Sequence, residues 1–296
     1  MILSFNFKLN TMKLHVMLLS ILLAGNMELV AQNDFFQSEK LKKIWETKGL
    51  NVPESVLPVP DKGILYVSNI GSKNATEKNN SGFISILGTD GQIKNLQWSK
   101  GLNSPKGMAI FEEDLYVTEV DQIAKISLKT GEKVKSYPVE GAKFLNDIAV
   151  NGEGVLFITD SQTGAVHKLE KDTVSVLLLP GTFPSPNGII WAKDKIIVGT
   201  GDKVVSVNPL TLEIKDCLLN TGGVDGLVML VPGTFIFSNW PGTIYIMKKG
   251  EEKELLVDTS SSETSKTADF GYISDTKRLY VPTFFNSSIV CYELNY

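Results

Sequence analysis

The feature that most restricts what this 296-residue chain can fold into is a repeat. Six stretches share one pattern: a polar residue, an apolar strand, a tight turn and a second apolar strand. They read Pro53-Glu54-Ser55-Val56, Pro105-Lys106-Gly107-Met108, Leu145-Asn146-Asp147-Ile148, Pro186-Asn187-Gly188-Ile189, Val224-Asp225-Gly226-Leu227 and Ala268-Asp269-Phe270-Gly271. The spacing is about forty residues, enough for four short strands per unit. Within the third unit, Ile148-Ala149-Val150, Val155–Thr159, Ala165–Leu169 and Ser175–Leu178 are β-branched or aromatic runs separated by Gly, Asn and Asp, as strands should be. The repeat predicts an all-β fold, a six-bladed β-propeller with four-stranded blades.

The sixth unit runs out of chain after its third strand. Leu41-Lys42-Lys43-Ile44-Trp45-Glu46, ahead of the first unit, is expected to supply the missing outer strand. A ring closed by an N-terminal strand has no exposed edge. The propeller is therefore expected over 41–296, with a short polar lead-in near Gln32–Lys40 and no second domain.

Residues 1–31 read differently. Lys13 precedes the apolar run Val16–Ala24, followed by Leu29-Val30-Ala31-Gln32. This is the n-region, h-region and cleavage site of a signal peptide, with an apolar core too short to span a bilayer. Met12 places the charge directly before that core and is the better start. The mature protein is expected to be exported, periplasmic or secreted, with no membrane association after cleavage. Loss of Lys8, Lys13 and Glu28 leaves it one unit more acidic than the formal −4 of the whole chain.

That acidity, with no basic run, excludes nucleic acid as a natural partner. No Walker loop and no GxGxxG opening a helix is present, so no nucleotide is expected. Cys217 and Cys291 fall on strands of different blades and are read as buried thiols, their pairing left open. Asn74-Ala75-Thr76, Asn79-Asn80-Ser81 and Asn286-Ser287-Ser288 match the glycosylation sequon and mark exposed loops. The first loop after an inner hairpin, Asn69–Gly82, is long and polar, a lid candidate.

In a propeller the innermost strand lines the central channel, and its first residue emerges at one mouth. Glu54, Lys106, Asn146, Asn187, Asp225 and Asp269 are expected there together. Asn-Gly and Asp-Gly also make hairpin turns, but each unit has a separate turn about six residues later, such as Asp61-Lys62-Gly63 or Pro232-Gly233. Glycine after the polar residue is read instead as permitting close backbone packing. Mixed oxygen donors of this kind suit Ca, Mg or Mn, whereas Zn favours His or Cys. Beyond the signal segment the sole histidine is His167, on a third strand away from the mouth, so no Ser-His-Asp triad is expected.

With these residues in place, the chain resembles the senescence-marker-protein-30/gluconolactonase/luciferin-regenerating family of six-bladed propellers, from about Trp45 to the C-terminus. The resemblance implies one divalent metal ion (Ca, Mg, Mn or Zn, with oxygen ligands favouring Ca or Mg) held by Glu54, Asn187 and Asp225. It also implies that Asn146, in Phe144-Leu145-Asn146-Asp147, contacts substrate or metal-bound water. The family's tryptophan after its glutamate is missing from Pro53-Glu54-Ser55-Val56-Leu57-Pro58. Its basic sugar-acid-binding residue has only Lys106 as a counterpart.

The expected function is an exported, metal-dependent hydrolase of a lactone or related, sugar-derived cyclic ester acting on a small-molecule substrate. Asp225 is the expected catalytic base as well as a metal ligand. Lys106 either holds a substrate carboxylate or balances the acidic ring. Asp269 and Trp240 are candidate substrate contacts. The alternative is a non-catalytic, NHL-like propeller that binds a ligand or partner protein at the same mouth. A strictosidine-synthase-like condensing enzyme finds no support in this ligand set.

Overall fold

The computed structural model describes residues 35–296. The expected signal segment, residues 1–31, lies outside the described residues. Among the latter there are only β-strands and two short 3₁₀ turns.

Each repeat folds as one antiparallel blade. Blade 1 runs Pro53–Val59, Ile64–Asn69, Gly82–Gly88 and Ile93–Leu102; blade 3 runs Leu145–Val150, Leu156–Asp160, Ala165–Glu170 and Thr173–Leu178. Blades 2, 4 and 5 repeat this order from Met108, Ile189 and Leu227. Blade 6 takes three strands from the C-terminus, Gly271–Ile273, Arg278–Thr283 and Ser288–Leu294, and its outer strand from the N-terminus, Leu41–Lys48. The pairing runs from Leu41 opposite Leu294 to Lys48 opposite Ser288, so the ring closes as the sequence predicts.

The polar lead-in contributes more than expected. Phe36–Gln37 pairs antiparallel with Glu254–Asp258 and becomes a fifth strand on blade 5. A two-residue strand carries no periodic signal, so nothing in the sequence marks it.

The core lies between blades. Six apolar clusters fill the six blade-to-blade interfaces, for example Tyr66 and Ile84 of blade 1 against Leu115 and Val117 of blade 2. Second strands are covered on both faces, which is why Leu156–Asp160 and Thr234–Asn239 are buried at every position. In all six blades the register shifts between the third strand and the outer one. Such bulges add local twist, letting the outer strand turn away from the channel.

Glycines after the site residues sit where blades crowd the channel. A Cβ on Gly107 would lie 2.4 Å from Asp147 Oδ1 and 2.6 Å from its Cα. One on Gly188 would lie 2.3 Å from the Asp225 carbonyl oxygen, and one on Gly226 2.8 Å from the Phe270 backbone nitrogen. The close-packing role read from the sequence is the one found.

Both cysteines are free, Cys291 buried and Cys217 half-buried. Burial pushes the Cys291 thiol up to about 12. His167, expected off the mouth, is off it and buried. Its Nε2 lies 3.9 Å from Asp160 Oδ2, too far for a hydrogen bond, and neither ring nitrogen has a partner.

Candidate functional site

Three blades deliver their site residue by the same backbone device. The N–H groups of Lys106, Asn187 and Asp225 donate to the carbonyls of Thr118, Gly199 and Ser238, each near the end of its own blade's second strand. Those residues return a bond, N–H to carbonyl, to Gly107, Gly188 and Gly226. The hydroxyls of second strands then reach across to the next blade. Thr118 Oγ1 donates to the Asn146 carbonyl, Thr159 Oγ1 to that of Asn187 at 2.8 Å, and Ser238 Oγ to that of Ala268 at 3.0 Å. Between blades 6 and 1, Asp269 N–H donates to the Glu54 carbonyl at 3.0 Å. The site residues are held by the ring itself.

Above them opens a cavity of about 250 Å³. Glu54, Lys106, Asn146, Asn187 and Asp225 all line it, as expected, and Trp240 stands on its wall. Asp269 is not among its lining residues. Its carboxylate accepts from Ser55 Oγ and supports blade 1. A larger groove of about 790 Å³ lies between the outer strands of blades 2 and 3, beside His167, and holds none of these residues.

Asn187 Nδ2 donates to Asp225 Oδ1 at 2.8 Å. Two oxygens are then left without any donor although fully buried: Glu54 Oε2 and Asn187 Oδ1. An unpaired buried oxygen costs about 1–3 kcal/mol, and two that line one cavity from blades 1 and 4 need a common explanation. Both are acceptors that a cation satisfies. Among the described residues no three His, Cys, Asp or Glu side chains group closely enough to hold a metal. A set here draws on oxygen donors of another type, and the unpartnered Asn187 amide oxygen is one. Glu54, Asn187 and Asp225 fit a divalent ion by this test, and their all-oxygen chemistry fits Ca or Mg better than Zn.

The electrostatics agree. Burial, then the Asp225 charge, raises the Glu54 carboxyl well above its ordinary value, with Lys106 opposing. Burial pushes Asp225 up to about 7 against the lowering effect of its bond from Asn187. Lys106 falls to about 8, because burial outweighs the attraction of Glu54 and Glu119. Its Nζ donates to the Ser104 carbonyl at 3.0 Å and stands 4.4 Å from the centre of the Phe144 ring. Asn146 Nδ2 donates to Ser161 Oγ at 3.1 Å, which in turn donates to the Pro186 carbonyl at 2.7 Å.

Sequence reasoning missed one acid. Asp147 is buried in the channel, and its two carboxylate oxygens accept the N–H groups of Ile148 at 2.7 Å and Ile189 at 2.9 Å. Burial pushes it up to about 7 against those two bonds. The signal was present: Asp147 stands in the slot that holds glycine in blades 2, 4 and 5. Of the walls, Trp240, Phe284 and Phe285 read as rim aromatics in the sequence, and Phe144 did not. Phe144, Phe284 and Phe285 lie beside Trp240, with Ala75 and Lys73 from the long blade 1 loop. That loop is tied down, its Glu77 carbonyl accepting from Ser104 Oγ at 2.8 Å.

No protein-family model matches the chain. Among solved structures, virginiamycin B lyase from Staphylococcus aureus superposes with a TM-score of 0.61 at 15% identity, covering 88% of this chain and 100% of that one. A streptogramin B lyase gives 0.61 at 14%, over 88% and 98%. A candidate gluconolactonase gives 0.60 at 16%, over 88% and 94%. At these identities the likeness shows the fold alone. A gluconolactonase-type propeller thus stands among the structural neighbours of a chain whose motifs resemble that family.

Proposed function

We propose that this chain is an exported, metal-dependent hydrolase of a lactone or related cyclic ester. The observation that carries the reading is the pair of buried, donorless oxygens, Glu54 Oε2 and Asn187 Oδ1, beside the Asn187–Asp225 bond on the floor of a cavity. Glu54, Asn187 and Asp225 would hold the ion. When bound, a divalent ion polarises an ester carbonyl and makes water a better nucleophile.

The chain's own residues supply the rest. Asp225 accepts a proton at a carboxylate oxygen, with Asn187 Nδ2 fixing the orientation of that carboxylate. Asn146, anchored by Ser161, offers its amide oxygen as an acceptor to the attacking water. Lys106, enclosed beside Glu54 and Glu119, balances the acidic floor. The aromatic wall excludes water from the ester apart from the reacting molecule.

The test is bound divalent metal and lactone hydrolysis, measured for the wild type and for Asp225→Ala. Metal and turnover in the wild type, with loss of both in the variant, support the reading. A wild type that binds no divalent ion overturns the site. Metal without hydrolysis moves the chain to the binding-propeller alternative. Export is checked by N-terminal sequencing of protein made in a host with a secretion pathway, with Ala31 or Gln32 as the last residue removed.

Two of the structural neighbours are lyases, which makes elimination the second reading of ester cleavage. Hydrolysis in ¹⁸O-water labels the carboxylate product, whereas elimination leaves it unlabelled and creates a carbon–carbon double bond.

A further inference from the structure

The cavity has two unlike halves. Every charged or amide group at its base comes from the channel: Glu54, Lys106, Asn146, Asn187 and Asp225. Its walls are Phe144, Trp240, Phe284, Phe285 and Ala75, with Lys73 on the rim.

The aromatic wall is built rather than incidental. Trp240 and Phe284 meet edge to face with centroids 4.7 Å apart, Phe284 and Phe285 at 4.8 Å, and Trp240 and Phe285 at 6.2 Å. These geometries are the attractive ones for aromatic rings and fix each ring against its neighbours. Phe284 is rooted in a small apolar cluster with Val52, Ile70 and Ala268. Trp240 nevertheless remains 41% exposed, so a large rigid apolar surface is held open at the cavity rather than turned inward.

We infer that the substrate is a lactone or ester carrying an aromatic or compact hydrocarbon ring, not a polyhydroxylated sugar lactone. The inference rests on the hydrolase reading for its reactive group and on the walls for the remainder. A sugar ring brings several hydroxyls into the upper half, where the side chains offer only two donors, the Trp240 indole N–H and the Lys73 ammonium, and no acceptor. Buried hydroxyls without partners count against binding. The base does not serve them once Glu54, Asn187 and Asp225 are given to the ion, since Lys106 is already engaged by the Ser104 carbonyl and the Phe144 ring. An apolar ring meets no such conflict and gains from burial against four aromatic side chains. Size agrees: a dry cavity of roughly 150 Å³ accepts benzene. One of about 250 Å³ accepts a fused bicycle or a ring with a short chain.

The experiment compares two δ-lactones on the metal-loaded protein, one benzo-fused and one a polyhydroxylated aldonolactone. In parallel, the benzo-fused cyclic ketone, which cannot be hydrolysed, is titrated by calorimetry. We expect kcat/KM at least tenfold higher for the benzo-fused lactone, and saturable ketone binding. Phe285→Ser should lower kcat/KM for the benzo-fused substrate about tenfold and narrow its advantage over the aldonolactone. A folded Trp240→Ala should weaken ketone binding at least fivefold. Equal or better turnover of the aldonolactone overturns the inference while leaving the hydrolase reading intact. Hydrolysis of neither lactone with ketone binding retained overturns the hydrolase reading and leaves the ring preference standing. Absence of ketone binding to the wild type overturns the inference whatever the variants do.

Discussion

Asn187 turns its amide nitrogen to Asp225 Oδ1, 2.8 Å away, and so leaves its own oxygen facing the cavity with no donor. One hydrogen bond thereby sets two ligands: it orients the aspartate and fixes which end of the amide is offered. Asn187→Leu removes both and is expected to lower divalent-metal affinity at least a hundredfold. Asn187→Asp keeps an oxygen but sets two carboxylates side by side, with a smaller loss of roughly tenfold. Isothermal titration with Ca²⁺ and Mg²⁺ checks the order, and equal affinities for the two variants would remove the bond's role.

Metal-free protein should lose stability as pH rises through the acid range. Asp147 and Asp225 are pushed up to about 7 in the folded state, against ordinary values of 3.8. Between about pH 4 and 7 the folded protein keeps protons that the unfolded chain has released, so stability is greatest at the low end and falls across the window. The loss is on the order of a few kcal/mol. Thermal melts in chelator, scanned from pH 4 to 7, read it directly. Added divalent ion should raise Tm most at the neutral end, because it binds the ionised site.

Gly188→Ala puts a Cβ 2.3 Å from the Asp225 carbonyl oxygen and 2.9 Å from Leu227 Cβ, both in the next blade. The expected cost is about 1–3 kcal/mol in urea denaturation, together with weaker metal binding, since Asp225 must move. Gly152→Ala, where an added Cβ meets nothing within 4 Å, is the matched control and should change stability by less than ~0.5 kcal/mol.

Trp45 joins three parts of the ring. It pairs with Cys291 in blade 6, packs 5.8 Å from the Tyr280 ring, and donates from Nε1 to the Thr89 carbonyl of blade 1 at 3.2 Å. Trp45→Ala should cost about 2–4 kcal/mol, below a fully buried tryptophan because the side chain is only half-buried. Chemical denaturation with a second probe in blade 3 tests whether the transition stays single.

The two thiols should react apart. Half-buried Cys217 is expected to take a thiol reagent in native buffer. Cys291, enclosed and pushed up to about 12, should react only after denaturation. Simultaneous reaction in native buffer would contradict the packing between blades 1 and 6.

Much of this architecture was legible because it repeats. Strands that recur at fixed spacing support one another as evidence, and the six polar positions gained meaning from their shared register. Asp147 was hidden by that same averaging, since the slot it fills is glycine in half the blades and reads as spacing. Asp269 followed the pattern in sequence yet turned its carboxylate to Ser55, because Phe270 and not glycine follows it and blade 1 lies within reach. The aromatic wall was partly legible: Trp240 and Phe284-Phe285 stand on corresponding connections of blades 5 and 6, whereas Phe144, on the connection into blade 3, joins them only through ring closure.

The pairing of Leu41–Lys48 with Ser288–Leu294 has a consequence for how the molecule comes into being. Leu41–Lys48 finds its partner only once Ser288–Leu294, about 240 residues later, has been made. Until then blade 6 has no outer strand and the ring stays open between blades 6 and 1. Every blade between can form as a local meander, so synthesis yields a string of hairpins whose last act is to meet its own beginning. Such a chain acquires its binding site in the step that makes it a ring.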